Sequence, residues 1–171
     1  MAKSSSKTTL TILLAVGLMA GSLARAQEEK KMQTHDKAGH ALFTPADLKW
    51  AVGPASLPAG AQAAVLEGDP AKAGPFTLRL KIPADYKIPA HSHPADEHVT
   101  VISGTFHMGM GDKLDAANGK ALPAGSFALM PAKTNHFAWA SEETIVQLHG
   151  IGPWGINYVN PDDDPRKKPV N

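Results

Sequence analysis

A series of short β-strand patterns, separated by turns rich in glycine and proline, constrains the fold of this chain most strongly. The clearest pattern lies at residues 76–82, where four apolar residues alternate with Thr, Arg and Lys, as in a strand with one buried face. Further strands are predicted at residues 62–67, 99–102, 105–110, 126–130, 136–140 and 144–149. Short strands at this spacing, without an internal repeat or a long segment of helical periodicity, predict a single all-β barrel or sandwich.

The segment 89–104 carries a cluster of residue types that bind metals. His91, His93 and Glu97 follow the pattern H-x-H-x3-E. Because residues two apart in a strand point to the same face, the two imidazoles would lie side by side, and a bend at 94–96 would bring the carboxylate to the same centre. Two imidazoles and one carboxylate are a typical donor set for a transition metal.

The first 26 residues have the composition of a secretory signal peptide. Lys3 and Lys7 precede an apolar run at residues 10–23, and residues 24–26 supply the small side chains of an A-x-A cleavage site. A membrane-spanning helix is disfavoured, since this run contains two glycines and is shorter than the roughly 20 residues that cross a bilayer. We therefore expect cleavage after Ala26 and a periplasmic or secreted protein.

Composition divides the remaining chain into three parts. Residues 27–42 form a polar, flexible lead-in, residues 43–160 carry the strand patterns of one domain, and residues 161–171 form a polar C-terminal tail. The chain has no cysteine, which excludes disulfides, thiolate metal ligands and cysteine nucleophiles. After loss of the signal peptide, 14 Lys and Arg face 16 Asp and Glu, and this near-neutral balance without a basic stripe argues against nucleic acid as a partner.

Two motifs together resemble those of the cupin superfamily. The first cupin motif, G-x5-H-x-H-x3,4-E-x6-G, has Asp85 at its leading glycine position and is otherwise matched by His91, His93, Glu97 and Gly104. The second motif, G-x5-P-x-G-x2-H-x3-N, is matched by Gly125, Pro131 and His136, whereas Lys133 replaces its second glycine and Ala140 its asparagine. The segment 150–158 and the N-terminal section rich in Gly and Pro also look like a group of exported, single-domain bacterial cupins.

The resemblance implies a double-stranded β-helix, or jelly-roll, barrel with a metal bound by His91, His93, Glu97 and His136. One or two coordination positions would remain for water or substrate. Three imidazoles and one carboxylate suit one divalent transition metal per chain, with Fe, Mn, Cu, Zn and Ni all compatible.

Three polar side chains on predicted strands are candidate substrate-binding residues. Gln147 and His149 share one face of the last strong strand, and one face of each strand in a jelly roll looks inward. Arg79 alternates with an apolar row and would anchor an anion if it reached the pocket. The alternative for Arg79 is a solvent-facing strand position. His98 follows Glu97 directly and is expected to point away from the metal.

Two functions are compatible with this site. One is a metal-dependent enzyme of dioxygenase, isomerase or lyase type that acts on a small organic molecule, with His149 or Glu97 handling a proton. The other is a non-catalytic cupin that binds or senses a small ligand or a metal, because the same fold hosts both. An open coordination position favours the enzyme.

The expected partner is a small-molecule ligand or substrate, without nucleic acid and without a membrane after signal cleavage. The apolar strands also allow a homodimer.

Overall fold

The protein is described here by a computed structural model covering residues 39–167, which fold into two antiparallel β-sheets. The predicted signal peptide, most of the lead-in and the end of the tail lie outside the described residues. The strands of the described part are β1 (Ala51–Val52), β2 (Gln62–Glu67), β3 (Gly74–Ile82), β4 (Tyr86–Ser92), β5 (Glu97–Ser103), β6 (Thr105–Met110), β7 (Gly119–Pro123), β8 (Phe127–Met130), β9 (His136–Ala140), β10 (Thr144–Gly152) and β11 (Asn157–Tyr158). Short 3-10 helices span Pro45–Asp47, Ala116–Asn118, Pro161–Asp163 and Pro165–Lys167.

The chain passes back and forth between the two sheets. One sheet has the strand order β1-β2-β3-β10-β5-β8, and the other has the order β11-β4-β9-β6-β7. From β3 onwards the chain crosses from one sheet to the other at most connections, which is the topology of a jelly roll. The predicted all-β, double-stranded β-helix fold is thereby confirmed. Within residues 39–167, no helix is long and apolar enough to cross a membrane.

Apolar side chains from alternate strand positions fill the space between the sheets. In β3, the four alternating apolar residues are at most 5% exposed, while the intervening Thr77, Arg79 and Lys81 are half-buried on the other face. The neighbouring strand β10 adds Val146 and Leu148 to the same core. Burying one side chain of this size stabilises the fold by about 1.5–3 kcal/mol. The alternation predicted for residues 76–82 is confirmed.

The turn from β5 to β6 explains the glycine that ends the first motif. Gly104 has φ +72°, a backbone conformation that favours glycine. A Cβ atom at this position would lie 2.6 Å from the carbonyl oxygen of Glu143. Any side chain here would therefore displace the backbone that leads into β10.

At two other motif positions, a residue with a side chain adopts the left-handed backbone conformation that favours glycine. Asp85 stands at the leading position of the first motif and has φ +60°. Lys133 stands at the second glycine position of the second motif and has φ +62°. A left-handed conformation costs a residue with a side chain roughly 1–2 kcal/mol. Both departures from the motifs therefore change the residue but not the turn.

Replacing Lys133 by glycine should stabilise the protein. The relief of the left-handed strain exceeds the extra backbone entropy of glycine, so the free energy of unfolding in urea should rise by about 0.5–1 kcal/mol. The matched control is Lys113→Gly, at an exposed position without a positive φ, which should lower that free energy by up to about 1 kcal/mol. Equal destabilisation by both substitutions would contradict this account.

Candidate metal centre

The structure brings together all four side chains that the motifs single out as metal ligands. His91 is the next-to-last residue of β4 and the register partner of His136, the first residue of β9. His93 follows β4, and Glu97 begins β5 in the other sheet. All four are at most 6% exposed. The ligand atoms of the three histidines lie within 4.8 Å of one another, which is close enough for one metal ion to reach all three.

Each imidazole is held in place through its Nδ1 atom. The Nδ1 atoms of His91 and His93 lie 2.7 Å from the carbonyl oxygens of Pro89 and Gly155. The Nδ1 atom of His136 lies 3.0 Å from the carbonyl oxygen of Thr134. A carbonyl oxygen can only accept, so each Nδ1 carries the proton and donates it. Each Nε2 atom is thus left with a free lone pair, as metal-binding histidines require.

The Nε2 atoms of His93 and His136 are buried without a hydrogen-bond partner among the described residues. They lie 3.5 Å and 3.4 Å from the two carboxylate oxygens of Glu97. Buried polar atoms without partners are rare in folded proteins, because they lose their interactions with water. A transition metal bound by the three imidazoles, with Glu97 beside it, would satisfy these atoms. The residues present therefore fit such a metal.

The surroundings of the centre shift the pKa values of His91 and Glu97 toward the protonation states that metal binding needs. Burial, together with the neighbouring imidazoles of His136 and His93, lowers the pKa of His91 to about 3. Burial raises the pKa of Glu97, but the contacts with His136 and His93 outweigh burial and hold this pKa well below its usual range. At neutral pH the centre thus has a neutral imidazole at His91 and an ionised carboxylate at Glu97.

The C-terminal segment of the described chain forms one wall of the centre. The indole of Trp154 stacks on the imidazole of His93, with ring centroids 4.2 Å apart and planes 16° apart. The next residue, Gly155, supplies the carbonyl that holds His93. The sequence patterns did not predict this carbonyl contact, because every residue has a carbonyl and only the folded chain shows which one reaches His93.

An apolar cavity opens from the metal centre into the space between the sheets. Both sheets contribute to its walls, which include Leu78, Leu80, Ile88, Phe106, Met108, Ala138, Val146, Leu148 and Ile156. Pro54, Ser56 and Leu57, from the segment between β1 and β2, complete the lining. A mostly apolar lining with a few polar groups gathered at one place is typical of pockets that bind small molecules.

The hydroxyl groups of two tyrosines hold the segment 54–58 over the cavity. Tyr158 donates to the carbonyl oxygen of Ser56 at 2.8 Å, and Tyr86 donates to the carbonyl oxygen of Pro58. Tyr158 also lies opposite His91 in the pairing of β11 with β4. The covering segment is thus tied directly to the strand that carries a candidate metal ligand.

The three candidate substrate-binding residues lie away from this cavity. Arg79 and Gln147 are register partners on the outer face of their sheet, where Arg79 Nε donates to Gln147 Oε1 at 3.1 Å. His149 stacks on His98, with ring centroids 4.7 Å apart, beside an outer groove. This placement corrects the expectation that Gln147 and His149 line the cavity. The inward positions of β3 and β10 belong to the alternating apolar residues, so the polar residues between them point outward.

Replacing His93 by alanine should weaken metal binding by at least about 100-fold, because it removes an imidazole ligand. Loss of a group that only hydrogen-bonds to a ligand typically weakens metal binding by about 10–100-fold. Elemental analysis after dialysis against each metal and titration calorimetry would measure the change. His98→Ala is the matched control, since it removes a nearby imidazole from the outer face, and it should leave the affinity unchanged. Unaltered binding in the His93 variant would show that the metal does not occupy this centre.

Solved structures of known proteins share this fold. The polyketide cyclase RemF from Streptomyces resistomycificus gives a TM-score of 0.60 at 12% identity, over 74% of this chain and 89% of that one. An acetylacetone dioxygenase from Acinetobacter johnsonii gives 0.56 at 15% identity, over 77% of this chain and 85% of that one. An RmlC-like cupin from Ralstonia eutropha JMP134 gives a TM-score of 0.54 at 19% identity, over 72% of this chain and 74% of that one. These similarities show the cupin fold and, at such identities, the fold alone.

Sequence comparison supplies the family. The chain matches no curated protein in sequence. Residues 43–171 match the family model described as a domain of unknown function, DUF4437. This range includes both histidine motifs, every strand of the described chain and the segment that covers the cavity. The protein therefore belongs to the DUF4437 family, and its domain has the cupin fold.

Proposed function

We propose that this protein is a metal-dependent enzyme that acts on a small organic molecule bound in the cavity. One observation carries the proposal: three buried imidazoles with free Nε2 lone pairs converge beside a carboxylate, at one end of an apolar cavity. In this proposal His91, His93 and His136 hold one divalent metal, and Glu97 either completes the coordination or stays beside it. Fe, Mn, Cu, Zn and Ni all suit these donors.

The chain's own residues have distinct tasks in the proposed reaction. The bound metal would supply Lewis acidity toward a carbonyl or enolate oxygen of the substrate. The apolar walls orient the substrate and exclude water, and this exclusion strengthens every electrostatic interaction at the centre. Glu97 is the acceptor for a substrate proton, because the other proton-handling candidate, His149, lies on the outer face of the sheet.

The comparisons lend support to this choice of reaction type. Proteins named as an acetylacetone dioxygenase and as a polyketide cyclase share the fold and act on small molecules that carry oxygen functions. A dioxygenase, isomerase or lyase type of reaction fits the same site in this chain. One fold hosts many activities, so the residues of this chain's own centre decide its reaction.

A second function is favoured by the segment that covers the cavity. The hydroxyl groups of Tyr158 and Tyr86 fix this segment at Ser56 and Pro58, which would slow the exchange of a bound molecule. Slow exchange suits a protein that captures or senses a small ligand or metal without converting it. Turnover is the property that separates the two functions.

Turnover should appear when the protein, loaded separately with each candidate metal, is incubated with enols, flavonols or thiols under O2. Mass spectrometry of the products is the measurement. Glu97→Ala should lower the rate by about 10²–10⁴-fold, because it removes a carboxylate that lies beside the metal and accepts the substrate proton. Gln147→Ala, on the outer face, is the control and should keep the rate. Tight ligand capture without conversion under every metal would instead establish the binding protein.

We also propose that the protein is exported, on the basis of the apolar run and the A-x-A site at residues 24–26. Expression of the full chain in a bacterium with two membranes should give a periplasmic protein that begins at Gln27. Intact mass and N-terminal sequencing would test this start. Ala26→Leu should block cleavage, because the cleavage site needs a small side chain. A full-length chain that stays in the cytoplasm would refute export.

A further inference from the structure

The charges around the cavity are distributed unevenly. All ionisable side chains in the lining belong to the metal centre: His91, His93, Glu97 and His136. No lysine or arginine of residues 39–167 contributes to the lining. The remaining polar contributors, Ser56 and the indole of Trp154, carry no charge. The cavity thus has one polar end and apolar walls.

The arginines that might serve an anionic ligand are engaged elsewhere. Arg79 points away on the outer face, where it binds Gln147. Arg166 forms a paired contact with the carboxylate of Asp164, at 2.7 Å and 2.8 Å, and donates to the carbonyl oxygen of Ile156 at 3.1 Å. Neither guanidinium lines the cavity. A carboxylate or phosphate placed against the apolar walls would have no counter-charge there.

We infer that the ligand of this cavity is an uncharged molecule with an apolar body and its oxygen atoms gathered at one end. A 1,3-dicarbonyl or its enol has this form. The oxygen end faces the metal centre, and the apolar body lies against the aliphatic walls. This inference rests on the proposed metal centre, but not on the occurrence of turnover.

Ligands with a charge or with many hydroxyl groups do not suit this cavity. A buried carboxylate without a counter-charge is strongly disfavoured, and a hydroxyl group without a partner costs roughly 1–3 kcal/mol in a protein interior. A sugar or a phosphorylated compound would bury several such groups against leucine, isoleucine, valine and phenylalanine. Apart from the uncharged groups of Ser56 and Trp154, a ligand finds polar partners only at the end that reaches the histidines and Glu97.

Three matched ligands test the inference by titration calorimetry on the metal-loaded protein. Octane-2,4-dione and the methyl ester of 4,6-dioxoheptanoate are uncharged, whereas 4,6-dioxoheptanoate has the same dicarbonyl group and a carboxylate at the far end. The two uncharged ligands should bind with affinities within about tenfold of each other. The carboxylate should bind at least about 100-fold more weakly, because its charge would be buried without a partner. Equal or tighter binding of the carboxylate would overturn the inference.

Two controls locate the binding. The metal-free protein should lose most affinity for both uncharged ligands, since their oxygens then lack the metal. Arg79→Ala should leave all affinities unchanged, because this residue lies on the outer face. Carboxylate binding that matches the dione and falls in Arg79→Ala would place the ligand on the outer face and overturn the inference.

These measurements test the ligand class separately from the proposed enzymatic activity. If the uncharged ligands bind but are not converted, the inferred ligand class stands and the proposed enzymatic activity is contradicted. If only substrates that carry a carboxylate are converted, the proposed enzymatic activity is supported and the inferred ligand class is wrong.

Discussion

The candidate metal centre depends on three hydrogen bonds from Nδ1–H groups to backbone carbonyls. Two of them are local, because Pro89 and Thr134 each lie two residues before the histidine that they hold. The third joins His93 to Gly155, 62 residues further along the chain. The orientation of His93 therefore requires the C-terminal segment in its folded position. The contact between Trp154 and Phe76, with ring centroids 5.4 Å apart, anchors that segment to the core.

The pairing of β3 with β10 separates the chemistry of the two sheet faces. Their apolar rows meet inside the barrel, where they form the cavity walls. The polar rows meet outside, where Arg79 finds Gln147 and His149 finds His98. Because side chains alternate strictly in a strand, a polar residue in either row would reach the cavity only by a shift of register. The same alternation thus sets both the core and the uncharged character of the cavity.

Sequence patterns predict those parts of the structure that depend on local spacing. The alternation at residues 76–82 predicted β3, and the spacing of His91 and His93 predicted two imidazoles on one side. The strand β7 escaped prediction, because Gly119–Pro123 lacks β-branched and aromatic residues and forms as an edge strand paired with β6. The sequence also did not predict that Gln147 and His149 point outward. Periodicity shows which residues share a face of a strand, but not which face lies inside the barrel.

The turn at Lys133 shows what the second motif specifies physically. Its left-handed backbone is disfavoured for lysine, so surrounding contacts must outweigh the strain. Two hydrogen bonds do so: Lys133 N donates to the carbonyl oxygen of His93 at 2.8 Å, and Ala132 N donates to Asp96 Oδ1 at 2.8 Å. These bonds join the loop before His136 to the loop that carries His93. The path of the backbone between the two motifs, rather than a glycine, is therefore what brings the candidate ligands together.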